Sequence, residues 1–179
     1  MGARVKILLF SLMAILYGCD GNTALMSAAM SGEVDQVRSM AESGADINAT
    51  NNYGWTALIH AARRGQADVI AILLRNGADV DMQDDRGWTA LMRAASKGHA
   101  SSVNLLLQHG ADAEKQDSGG WSSLIWAANQ QHADIVQMLL DHGVDVNAKA
   151  KDGRNALQVA IREGDNQIVE ILQKAGAKF

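Results

Sequence analysis

Apolar positions through residues 21–179 follow two linked rhythms. In TALIHAARR, residues 56–64, Leu58, Ala61 and Ala62 stand at i, i+3 and i+4, the spacing that lines one face of an α-helix. The small alanines in that stripe let a neighbouring helix approach closely. A few residues on, VIAILL at 69–74 is apolar nearly all round, as suits a helix held between neighbours. The first helix is predicted to start at a residue with a short side-chain oxygen able to cap free backbone amides. Thr56 is that residue here, and Thr23, Thr89, Ser122 and Asn155 are its counterparts elsewhere in the chain. The second helix should close on a glycine, the residue that most readily takes the left-handed backbone of a C-cap.

That two-helix pattern recurs with a fixed period. Glycine stands at 21, 54, 87, 120 and 153, and again at 44, 77, 110, 143 and 176, always 33 residues apart. A third series, Gly32, Gly65, Gly98 and Gly164, is broken only by Gln131. Strict self-similarity at such a period predicts a stack of equivalent units rather than a fold with one unique core.

The segment GWTALIHAARRG followed by ADVIAILLRNGADVD resembles the ankyrin repeat, a turn plus two antiparallel helices in 33 residues. The resemblance implies an all-α solenoid of five helix-turn-helix units joined by turn or hairpin loops, at about 20–52, 53–85, 86–118, 119–151 and 152–179. Where the family has Thr-Pro-Leu-His, this chain reads Thr-Ala-Leu-Met or Thr-Ala-Leu-Ile, without the helix-starting proline or the histidine that knits neighbouring loops. That variant resembles bacterial members of the family. Polar residues at the outer faces, Gln36 and Ser39 in the first unit and Gln173 in the last, are expected to cap the array.

Residues 1–19 lie outside that frame. A short basic start with Arg4 and Lys6 precedes ILLFSLMAIL at 7–16, a run too short to cross a bilayer comfortably but of the length of a secretory leader's apolar core. Leu16, Gly18 and Cys19 resemble a bacterial lipobox, although Tyr17 is larger than usual at its place. The resemblance implies a leader at 1–18, lipidation of Cys19 and an exported domain at 20–179, held in the periplasm or cell envelope. Cys19 is the one cysteine, so neither an internal disulfide nor a cysteine metal cage can form.

Composition is that of an ordinary soluble domain, with 47% hydrophobic and 20% charged residues and no proline. The sequence contains no zinc-protease helix, no phosphate-cradling glycine loop and no nucleophile elbow. His99 and His132 occupy one repeat position and His109 and His142 another, places that suit helix ends better than a metal or acid-base site. An enzyme, a cofactor and a metal are therefore not expected.

In the ankyrin family the turn tips and the exposed side of helix one line a concave groove that binds partner proteins. Carried across by register, that surface includes Tyr53, Trp55, Arg63, Arg64, Arg86, Trp88, Arg93, Lys97, Trp121, Trp126, Arg154 and Arg162, with His60, Ser96 and Val159 also at groove positions. All four tryptophans fall in this set. Groove positions carry eight basic and three acidic residues, whereas the rest of the chain from Asp20 onward carries six basic and 17 acidic. Trp55, Trp88 and Trp121 are expected to form a ladder with rungs about 10 Å apart, continued by Arg154. Tryptophan and arginine are the types most enriched at binding hot spots.

These features imply a monomeric, non-enzymatic envelope module that grips another protein, with inhibition or protection of an envelope enzyme as one specific form. Stacked aromatics beside arginines also suit an anionic glycan such as peptidoglycan, the alternative reading. Nucleic acid is not expected for an exported, acidic chain.

Overall fold

The computed structural model describes residues 20–179, which form ten helices and no strand. They come in five pairs: α1 (Ala24–Ser31) with α2 (Val34–Glu42), α3 (Ala57–Arg64) with α4 (Ala67–Arg75), α5 (Ala90–Ser96) with α6 (Ala100–Gln108), α7 (Ser123–Asn129) with α8 (Ala133–Asp141), and α9 (Ala156–Glu163) with α10 (Asn166–Lys174). The odd-numbered helices pack side by side in one layer and the even-numbered ones in a second, each pair touching the next. The expected solenoid is what forms. None of these helices is long and apolar enough to cross a membrane.

The local reasons match the sequence. Thr23, Thr56, Thr89, Ser122 and Asn155 cap the odd helices, each side-chain oxygen accepting from the backbone N–H three residues on, a contact worth about 1 kcal/mol. Leu25, Leu58, Leu91, Leu124 and Leu157 then form one buried seam, with pairs such as Ala61–Ala62 and Ala94–Ala95 fully buried where the layers meet. Met26, Ile59, Met92 and Ile125 stand where the family carries its loop-knitting histidine, and all four are buried. Loop knitting passes to other side chains instead. Asn48, Asp81, Glu114 and Asn147, one per repeat, accept from the backbone N–H of Asp79, Asp112, Asp145 and Lys178 in the following unit.

Gln131, the break in the third glycine series, takes the left-handed conformation regardless, with φ 61°, and its side-chain amide donates to the carbonyl of Glu163. At the array's far end Ile161 and Phe179 are exposed, so the polar surface expected there is incomplete.

Successive turns are joined backbone to backbone, Asp85 N–H to Tyr53, Ser118 N–H to Arg86 and Lys151 N–H to Gly119. That approach explains one glycine series. Gly120 has φ 81° and a Cβ there would lie 2.6 Å from the Lys151 nitrogen, whereas Gly153, φ 82°, has nothing within 4 Å. Gly153→Ala should cost about 1 kcal/mol for its backbone alone, and Gly120→Ala roughly twice that. Equal losses in thermal unfolding would show that turn-to-turn approach does not constrain this position.

Candidate concave interface

The indoles enter the concave face from turns set by the side chain four residues before each. Asn51 Oδ1 accepts from the backbone N–H of Tyr53 and Trp55, Asp84 Oδ1 from Arg86 and Trp88, and Asp117 Oδ1 from Gly119 and Trp121, all at 2.8–2.9 Å. The other end of Asp84 and of Asp117 reaches helix one of the following unit, and that of Asn51 reaches the residue before the cap of α1. Asp84 Oδ2 accepts from Arg93 Nη2 at 2.5 Å, and Asp117 Oδ2 accepts from Trp126 Nε1 at 3.0 Å. Asn51 Nδ2 donates to Asn22 Oδ1 at 2.8 Å, an oxygen that also accepts from His60 Nε2 at 3.2 Å. At the junction of the last two repeats the same two positions are Ala150 and Val159, both buried and apolar.

Between these turns runs a continuous column. The Arg93 guanidinium carbon sits 4.5 Å from the Trp55 ring centre and 4.0 Å from that of Trp88. Trp126 lies 4.3 Å from Trp88 and 4.6 Å from Trp121, tilted by 36° and 43°. Arg154 closes one end, 5.8 Å over Trp121, and Arg63 with His60 closes the other, 5.3 and 4.9 Å from Trp55. Tilted aromatic pairs at such spacings contribute about 0.5–1.5 kcal/mol each beyond area burial, and cation–π contacts about 0.5–2 kcal/mol.

The column corrects the expected ladder. Trp55, Trp88 and Trp121 are all half-buried on one face, but the spaces between them are filled by Arg93 and Trp126. Helix-one register explains the difference: the position shared by His60, Arg93, Trp126 and Val159 leans into the seam. His60 is 6% exposed and Val159 is fully buried, so neither is a groove contact, and Ser96 is buried as well. Tyr53, Arg63, Arg64, Arg86 and Lys97 stand exposed at the rim. Arg154 and Arg162 are paired with the acids Asp152 and Glu163 beside them.

Burial shapes the charges. His60 is pushed down to about 4 by its removal from water and then by Arg63, Arg64 and Arg93, so it is neutral at pH 7. Burial pulls the Arg93 guanidinium below its ordinary range, opposed by its bond to Asp84. Arg93 Nε is buried with no partner among the described residues. The hydrogen bond from Arg154 holds the exposed Asp152 below the usual carboxylate range. Among the described residues no three His, Cys, Asp or Glu side chains are grouped to hold a metal.

A family model described as ankyrin repeats in three copies matches residues 3–84, 25–117, 72–150 and 110–179 of this sequence. The chain belongs to the ankyrin-repeat family. Ankyrin repeats generally mediate protein–protein interaction and are typically non-enzymatic, and the face described above is the concave face of such an array. No curated protein matches the chain.

Cys19, read as a lipidation site, lies outside the described residues, as does the leader before it. Asp84 and Asp117, which are buried, and the half-buried Asn51 read from the sequence as turn residues. A signal was present: each stands nine residues before the helix position it serves, giving Asn with His, Asp with Arg, Asp with Trp, and Ala with Val.

Proposed function

We propose that this ankyrin-repeat protein is a non-enzymatic binding module of the bacterial cell envelope, holding a partner protein against its concave face. The observation that carries the reading is the column of half-buried indoles and guanidiniums bordered by exposed Tyr53, Arg63, Arg86 and Lys97. A preorganised aromatic and arginine surface loses little side-chain entropy on binding. Trp88 shares Arg93 with Trp55 and Trp126 with Trp121, which crowds the indole surface that a sugar ring would stack on. That favours a protein partner over a glycan. The envelope part rests on the lipobox-like residues Leu16, Gly18 and Cys19, and fatty-acid labelling lost in Cys19→Ser tests it.

The test of the binding face uses the native organism. A photo-crosslinking residue at Tyr53 or Lys97 should give one discrete protein adduct, and one at Asn104 or Gln137 on helix two should give none. Tyr53→Ala with Arg63→Ala should then weaken capture of that protein about tenfold. Adducts only from the helix-two positions, or undiminished capture, would overturn the reading. The pair Trp88→Ala and Arg93→Ala is a poor choice, because it would strip Asp84 of its cation.

A further inference from the structure

We infer that the partner is engaged through an acidic segment, one of whose carboxylates seats between repeats two and three in the cleft of Tyr53, Trp55, Arg63, Asp85, Arg86 and Arg93. This rests on the protein-binding reading and adds the chemistry and the place. The cleft has a volume of about 320 Å³ and holds one acid against three guanidiniums. A second cleft of about 340 Å³ adjoins it at Arg63 and is lined by Arg64, Lys97 and His99. The two together make a cationic strip across two repeats.

The strip is free in a way the rest of the groove is not. Arg93 is committed to Asp84, Arg154 to Asp152 and Arg162 to Glu163. Arg63, Arg64, Arg86 and Lys97 are exposed and form no ion pair with another described residue. Free guanidiniums are concentrated where the one acid of the cleft, Asp85, forms no ion pair with them, and a planar guanidinium takes a carboxylate in two parallel hydrogen bonds. Arg93, held by the buried Asp84, lines the cleft together with Trp55, so both are fixed by contacts within the fold.

Charge beyond the groove sets the size of the occupant. Outside the groove positions the chain from Asp20 carries six basic and 17 acidic residues. A long polyanion would run off the strip onto a repelling surface, whereas a short acidic stretch of polypeptide ends within it. Attraction of this kind speeds association and fades with salt.

Fluorescein-labelled octaglutamate is the probe, titrated into the purified domain and followed by anisotropy. Saturable binding is expected, falling about tenfold or more as ionic strength rises from 0.02 to 0.3 M on the scale of charge screening. Arg63→Glu with Arg86→Glu should abolish it, whereas Arg154→Glu with Arg162→Glu should leave it within about twofold, because those cations are already paired. Circular dichroism on both variants establishes that each is folded. No binding, equal losses in the two variants, or tighter binding of an oligothymidylate of equal charge would overturn the inference. If the native partner is still captured by the Arg63→Glu, Arg86→Glu protein but lost from the Arg154→Glu, Arg162→Glu one, the acidic-segment inference fails while the protein-binding reading stands.

Discussion

Asp84→Ala is expected to destabilise the domain by about 3 kcal/mol, at the low end of the roughly 3–5 kcal/mol for breaking a buried ion pair. The carboxylate is 5% exposed and does three things at once. It accepts from the backbone N–H of Arg86 and of Trp88, and it holds Arg93 Nη2 at 2.5 Å. Alanine leaves two amides short of an acceptor and the Arg93 guanidinium, 16% exposed between two indoles, without its countercharge. The lower figure applies because that remaining exposure lets the guanidinium turn partly to water.

The protein's own repeats supply the controls. The junction of the last two repeats has Ala150 and Val159 at these positions, so Asp84→Ala with Arg93→Val removes acceptor and cation together. The double variant should be more stable than the sum of the two single losses by about 2 kcal/mol, as contacting charged partners couple. At the next junction Asp117 is bonded to the neutral indole N–H of Trp126, so Arg93→Trp alone should cost under about 1.5 kcal/mol, the size of an ordinary neutral hydrogen bond. Urea unfolding followed by helical circular dichroism measures all four proteins. Strict additivity of the two single losses would show that the pair is not coupled and that the column is held by ring packing alone.

Much of the scaffold is legible in the amino-acid sequence, because its causes are local. A short oxygen at Thr56 caps a helix wherever it occurs, a glycine 33 residues from the last takes the same left-handed turn, and Leu58 with Ala61 and Ala62 announce their face by spacing. The concave face was only half legible. Tyr53, Arg63, Arg64, Arg86 and Lys97 sit at the rim where the register put them, since exposure of a turn tip or helix end needs no partner to explain it. Arg93 and Trp126 are different. Their helix position carries His, Arg, Trp and Val in successive repeats, a variable mix that reads as surface. What makes such types tolerable in the seam is the matching residue nine positions earlier, and a match across space leaves no trace in hydrophobic periodicity. Gln131 shows the converse: the glycine series is broken there, yet φ stays at 61°.

Acidification should weaken the fold through His60 in a window that can be named in advance. Its ring is 6% exposed beside Trp55, with Nε2 directed at Asn22 Oδ1. That oxygen only accepts, so Nε2 carries the proton and Nδ1 is bare in the neutral ring. Around it stand Arg63, Arg64 and Arg93, all opposing a positive charge, with Asp20 alone favouring one. The folded value of about 4 lies below the ordinary 6.5, so between those limits the unfolded chain binds a proton that the folded chain refuses. Stability from this source is complete above about pH 6.5, falls as pH drops, and is used up by about pH 4, a loss of about 2–3 kcal/mol between pH 7 and 4.5. Other groups also titrate in acid, so the decisive measurement is a difference. His60→Gln keeps a donor for Asn22 and cannot take up the proton, and its unfolding free energy should decline less over that range by about the same amount. The ring's own titration, followed by NMR, should show a midpoint near 4 rather than 6.5. Parallel pH profiles for the two proteins, with a midpoint near 6.5, would mean that His60 is open to water and that the column does not close over it at the Trp55 end.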